Sequence, residues 1–217
     1  MKKFSIGAVA VLLLAGTVTY FAQPFGFGPP GGKTLTAAEK ADCGITAAVT
    51  EGPYFVSGTA ALANGNLNAT NLPGTALEIA GHVYEGLDTA KPIANATIEI
   101  WQTDTAGSYH PNGNGPVTSY KADEIALRGF IKTDAVGAYK FTTIYPGEYS
   151  GRTRHIHIKI KAEGKAELTT QLIIPSLSGD QLTFDEDTIS KGLPACHLLK
   201  IDTAGTQQKA SFDFRLQ

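Results

Sequence analysis

From Ala76 onward, apolar and polar residues alternate in short windows separated by turn residues. In ALEIAGHVYE (76–85) the alternation puts Leu77, Ile79, Gly81 and Val83 on one face. TIEIWQTD (97–104) does the same with Ile98 and Ile100. RGFIKTD (128–134) and AYKFTTI (138–144), joined by a turn at Ala135-Val136-Gly137, read as a hairpin. RHIHIKIKA, LTTQLIIP and KASFDFRL (209–216) continue the series, the last as one closing strand. No 3.6-residue period intervenes, so the pattern predicts an all-β fold: a β-sandwich of roughly seven to nine strands with long loops at 57–74 and 105–120. One window is peculiar. In RHIHIKI, Ile156, Ile158 and Ile160 point one way and His155, His157 and Lys159 the other. Either that polar face meets water, or its paired histidines meet a metal.

Composition is consistent with this fold. An apolar share of 42% over 217 residues supports a sizeable core. The net charge of -2 offers no basic excess for a nucleic-acid partner, and none is expected. The first 23 residues read separately. Lys2 and Lys3 precede an apolar run from Phe4 to Ala22, the pattern of an export signal peptide or membrane anchor. Residues 24–40 form a Pro/Gly-rich linker with a short helical pattern from Thr34, and the folded domain spans 41–217. Export implies a periplasmic or extracellular domain in an oxidising space, touching a membrane only through an uncleaved N-terminal segment. There, Cys43 and Cys196 read as a disulfide.

Two histidines on a strand become specific in company. Tyr109 ends AGSY in the loop after one strand, and Tyr149 ends PGEY six residues before His155. The run GHVYEGLDTAKPIANATIEIWQTDTAGSY, followed by RGFIKTDAVGAYKFTTIYPGEYSGRTRHIHIKI, resembles the intradiol ring-cleavage dioxygenases of the protocatechuate and catechol type, and most of all their secreted single-domain branch. The resemblance runs from about Thr50 to Pro175.

The resemblance implies one Fe(III) per chain, held by Tyr109, Tyr149, His155 and His157. Phenolates are hard anionic donors suited to ferric iron, and imidazole suits iron generally. It implies a small aromatic diol and O2 as reactants, with ring cleavage between the hydroxyl-bearing carbons. The resemblance makes Tyr149 the phenolate that would leave the metal and take a substrate proton. Arg152 matches an active-site arginine that stabilises charge on the bound ring, with Arg154 beside it as the confusable neighbour. Gln171 of TTQL matches a hydrogen-bonding partner near the site, and Tyr54 of EGPY a residue lining the substrate pocket. The helical dimerisation region of catechol dioxygenases has no counterpart in this reading, which leaves a monomer or small homo-oligomer. A different class shares much of the pattern: transthyretin-like and carboxypeptidase-regulatory-like sandwiches, which are binding or stalk modules. Such a module has no need of two tyrosines and two histidines together. Zinc or copper on the same histidines is disfavoured by the two phenolates.

Overall fold

The computed structural model describes residues 43–149, 151–204 and 207–217, and in them the alternating windows become strands. The N-terminal segment 1–23, the linker 24–40 and the helical pattern from Thr34 lie outside the described residues. Ten strands follow in chain order: β1 (Val56–Ser57), β2 (Ala76–Glu85), β3 (Thr97–Gln102), β4 (Gly115–Pro116), β5 (Arg128–Lys132), β6 (Ala138–Ile144), β7 (His155–Lys161), β8 (Leu168–Ile173), β9 (Gln208–Ser211) and β10 (Phe214–Leu216). The only helical elements among the described residues are short 3-10 turns. The count passes the expected seven to nine because β1 and β4 are a two-residue pair and the closing strand is split.

Two sheets make the sandwich. In one, β2 pairs antiparallel with β6 and parallel with β9 and β10; in the other, the order is β5-β3-β7-β8, antiparallel throughout. Leu77, Ile79 and Val83 of β2, Phe141 of β6 and Phe214 of β10 pack in one core with Ile98 and Ile100 of β3 and Ile156, Ile158 and Ile160 of β7, all essentially fully buried. Burying each such side chain is worth roughly 1.5–3 kcal/mol.

Two expectations need correction. RGFIKTD and AYKFTTI do not form a hairpin, because β5 pairs with β3 and β6 with β2, in opposite sheets. The turn itself forms, with Asp134 Oδ1 accepting the Val136 and Ala138 N–H groups at 2.9 and 2.8 Å. Its local chemistry is the same whether the chain folds back within a sheet or crosses between layers; the available partner strands decide. Nor is KASFDFRL one strand. It breaks at Phe212-Asp213, where the chain presses on β2 so closely that a Cβ on Gly81 would sit 1.9 Å from the Phe212 carbonyl oxygen. Phe212 N–H donates to Ala80 O at 3.0 Å, and Asp213 Oδ1 accepts the His82 N–H at 2.9 Å. Glycine at 81 is therefore required by the close approach.

Candidate metal centre

The polar face of β7 is not wet. His155, His157 and Lys159 are 2%, 1% and 5% exposed, as buried as the isoleucines between them. Loops cover this face. Register places Trp101 of β3 opposite His157, and the two rings stack 4.7 Å apart at 8°. Lys159 lies under the Phe55 ring at 3.8 Å and pairs with Glu51.

His155 Nδ1 is 2.6 Å from the Thr153 carbonyl, which can only accept, so Nδ1 carries the proton and Nε2 presents its lone pair. Burial, then the Arg152 charge, pushes His155 down to about 3. Burial, then the neighbouring His155, holds His157 well below the ordinary imidazole range. Both rings are therefore neutral, the form that binds metals.

The two tyrosines arrive on loops packed back to back. A Cβ on Gly107 would meet Glu148 O at 2.1 Å, and one on Gly147 would meet Gly107 N at 2.4 Å. Gly107 also has φ +83, a conformation that suits glycine. The contact is sealed by Gly147 N–H donating to Asp104 O at 2.6 Å and Thr103 Oγ1 to Gly147 O at 2.8 Å. Each tyrosine follows its glycine by two positions, in AGSY and PGEY. That shared spacing is the signal by which the glycines were findable.

Donor atoms converge as a result. Tyr109 Oη lies 3.3 Å from His155 Nε2 and 3.0 Å from His157 Nε2, and the two Nε2 atoms are 3.2 Å apart. Strand rise alone separates the two histidines by roughly 6–7 Å, so it is the rings that close the gap. The half-buried Tyr149 stands beside them, its ring centroid 5.7 Å from that of Tyr109 and 5.6 Å from that of His155. Burial, then the neighbouring Tyr149, raises Tyr109 well above the ordinary phenol range. Tyr149 is raised too, by burial, against the opposing charge of Arg152. Two donors each ~2.1 Å from one first-row ion, at right angles to it, stand about 3.0 Å apart. The measured separations match that figure, and a lone-pair-rich cluster with few protons suits a cation. The residues present thus fit a metal.

The remaining predicted residues fall around this cluster. Arg152 Nη2 donates to Gln171 Oε1 at 2.6 Å, and the Gln171 amide lies 3.5 Å from His157 Nδ1, the outer limit of a hydrogen bond. Tyr54 stacks on Tyr109 at 4.4 Å and 17° and meets Tyr149 edge-on at 5.9 Å. The two arginines separate cleanly. Arg154 turns away to Asp180 through Nε at 2.6 Å and Nη2 at 2.5 Å, while Arg152 stays at the site. Asp187, which sequence reasoning missed, is fully buried; its Oδ2 accepts Arg152 Nε at 2.9 Å and Thr153 N–H at 2.8 Å. His197, also missed, donates from Nδ1 to Gln171 O at 2.9 Å. Cys43 and Cys196 are bridged, with Cα atoms 5.6 Å apart. A cavity of about 540 Å³ beside that bridge is lined by Leu198, Phe212 and Arg215 among others, and by none of the four donors.

A family model described as Dioxygenase matches residues 50–217. Catechol 1,2-dioxygenase 2 of Acinetobacter lwoffii is 30% identical over 164 residues, covering 66% of this chain and 55% of its own length. The chain thus spans about half the length of the curated relatives it matches. Among solved structures, the dioxygenase domain of a dioxygenase carbohydrate-binding protein fusion from Streptomyces sp. SirexAA-E superposes with a TM-score of 0.64 at 32% identity, over 80% of this chain and 98% of that one. An intradiol ring-cleavage dioxygenase from Tetranychus urticae gives a TM-score of 0.68 over 81% of this chain and 95% of its own, and at 23% identity shows a shared fold.

Proposed function

The chain belongs to the intradiol ring-cleavage dioxygenase family, and from that premise we propose that it cleaves a catechol-type ring between its two hydroxyl-bearing carbons. Both atoms of O2 enter the product, a muconate-type diacid, and one ferric ion per chain serves the reaction. The observation that carries this reading is the meeting of Tyr109 Oη, His155 Nε2 and His157 Nε2 within 3.0–3.3 Å, with the Tyr149 ring packed beside Tyr109 and His155. A stalk module of the same fold has no reason to gather two tyrosines and two histidines at one place.

Tyr109, Tyr149, His155 and His157 would hold the metal. Bound there, ferric iron would withdraw electron density from the aromatic diol and so open a ring carbon to O2. The protein does the rest. His155 is fixed in the ligating tautomer by Thr153 O, and His157 is held flat against Trp101. Tyr149 is the more exposed of the two tyrosines, and the Arg152 charge bears on it, so it is the phenol placed to release and to take a substrate proton. Arg152, aimed by Asp187 and Gln171, offers directed N–H groups to charge developing on the ring. Tyr54 forms an aromatic wall beside Tyr109.

The proposal includes export: Lys2, Lys3 and the apolar run that follows address the chain to the periplasm or exterior, and the Cys43–Cys196 bridge suits that compartment.

The test is reconstitution with ferric iron, then catechol under anaerobic conditions, then air containing ¹⁸O2. The reading expects a coloured protein, a shifted band with catechol, and a diacid carrying two labelled oxygens. Colourless, iron-free protein would favour the stalk module.

A further inference from the structure

Arg128 opens β5 next to the donor cluster. Its side chain is 6% exposed, yet among the described residues it has no carboxylate partner. Its N–H groups go to three backbone carbonyls: Nε to His110 O at 2.7 Å, Nη2 to Pro111 O at 2.7 Å, and Nη1 to Tyr54 O. Two of these belong to the loop directly after Tyr109, and the third to the residue whose ring stacks on Tyr109. The guanidinium carbon stands 5.5 Å from the centre of the Tyr109 ring.

Arg152 makes the contrast. Its charge is matched by the buried Asp187 and bears on both tyrosines. The Arg128 charge has no carboxylate beside it, and its guanidinium lies against the Tyr109 ring. A second observation is independent of charge. Leu127, immediately before Arg128, is buried with φ +52, a left-handed conformation that costs a branched residue about 1–2 kcal/mol. The backbone bears that strain at the residue that launches the Arg128 side chain.

We propose that Arg128 is the positioning residue for Tyr109: it ties the Tyr109 loop to the Tyr54 strap through three carbonyls, and sets an unmatched positive charge against the Tyr109 ring. Tyr109 is thereby held in place at the centre by three tethers to its loop and its stacking partner. The role rests on the ferric reading above for its electrostatic half; the clamp stands without metal.

Arg128→Met and Arg128→Lys test it in the full chain. Hydrogen exchange on metal-free protein reads the clamp: both variants should exchange at least tenfold faster at 51–56 and 109–112, with β2 and β8 as slow as in the parent. Tyrosinate-to-iron charge transfer in ferric protein reads the charge. Without the cation, the phenolate gives up its electron more easily. The band should therefore move to longer wavelength in Arg128→Met and stay near the parent position in Arg128→Lys, which keeps the charge. Should Arg128→Met not fold, parental exchange at both segments in Arg128→Lys overturns the clamp. Parental exchange and band in both variants overturns the whole proposal. A parent chain that takes up no ferric iron overturns the dioxygenase reading and with it the electrostatic half, while the exchange arm still decides the clamp.

Discussion

The two faces of β7 are buried to the same degree by opposite means. Ile156, Ile158 and Ile160 vanish into a core built by strands from both sheets, where any well-shaped apolar neighbour serves. His155, His157 and Lys159 vanish under loops, and there nearly every polar atom has a named partner: Thr153 O for His155, Trp101 and Tyr109 for His157, Glu51 for Lys159. One face is held by area, the other by specific placement. Stability should therefore be concentrated on the first and chemistry on the second.

The sharpest break of this comparison is His157→Ala, which should lose ferric binding by more than about 100-fold, beyond what losing a supporting contact to a ligand costs. Metal analysis reads it, and the variant should stay folded. Ile158→Ala should do the reverse: a loss of ~2–5 kcal/mol in denaturant unfolding, with ferric affinity unchanged in the folded protein. Gly147→Ala probes the joint between the tyrosine loops. The added methyl has no room against Gly107 N, so about 1–3 kcal/mol of stability and part of the ferric affinity should go together.

Acid should act through buried histidine. His197 is held below its ordinary value of 6.5 by burial, so it stays neutral in the fold while the unfolded chain protonates. Its contribution is present above pH 6.5 and is lost as pH falls from there through the folded value, by up to ~1.4 kcal/mol per pH unit. His197→Asn, which keeps a donor for Gln171 O, should flatten that decline in metal-free protein. The smallest effect belongs to Glu51→Gln. Glu51 is 42% exposed, so its pair with Lys159 should be worth less than about 1 kcal/mol.

Much of this was legible. The period-two windows placed β2, β3, β7 and β8, because alternation depends only on neighbours along the chain. The candidate donors were readable as a motif, and the fold puts one of them, Tyr109, 46 residues from His155 in sequence, at the His155 ring nitrogen. The partner of a turn was not readable, so the β5–β6 hairpin was expected where the chain crosses between sheets. Nor was Asp187, 35 residues from Arg152 in a loop of several acids, since only the fold tells it from Asp185 or Glu186. Motif alone selects Arg152 over its neighbour Arg154; what separates them physically, the buried carboxylate each meets, only the fold supplies.

The most direct measurement is iron content and visible absorption of ferric-reconstituted parent protein beside Tyr109→Phe and His157→Ala. The account predicts one ferric ion per chain with a tyrosinate charge-transfer band in the parent, a displaced or weakened band in Tyr109→Phe, and no bound iron in His157→Ala. Ferric iron bound equally by all three, or by none, would contradict it.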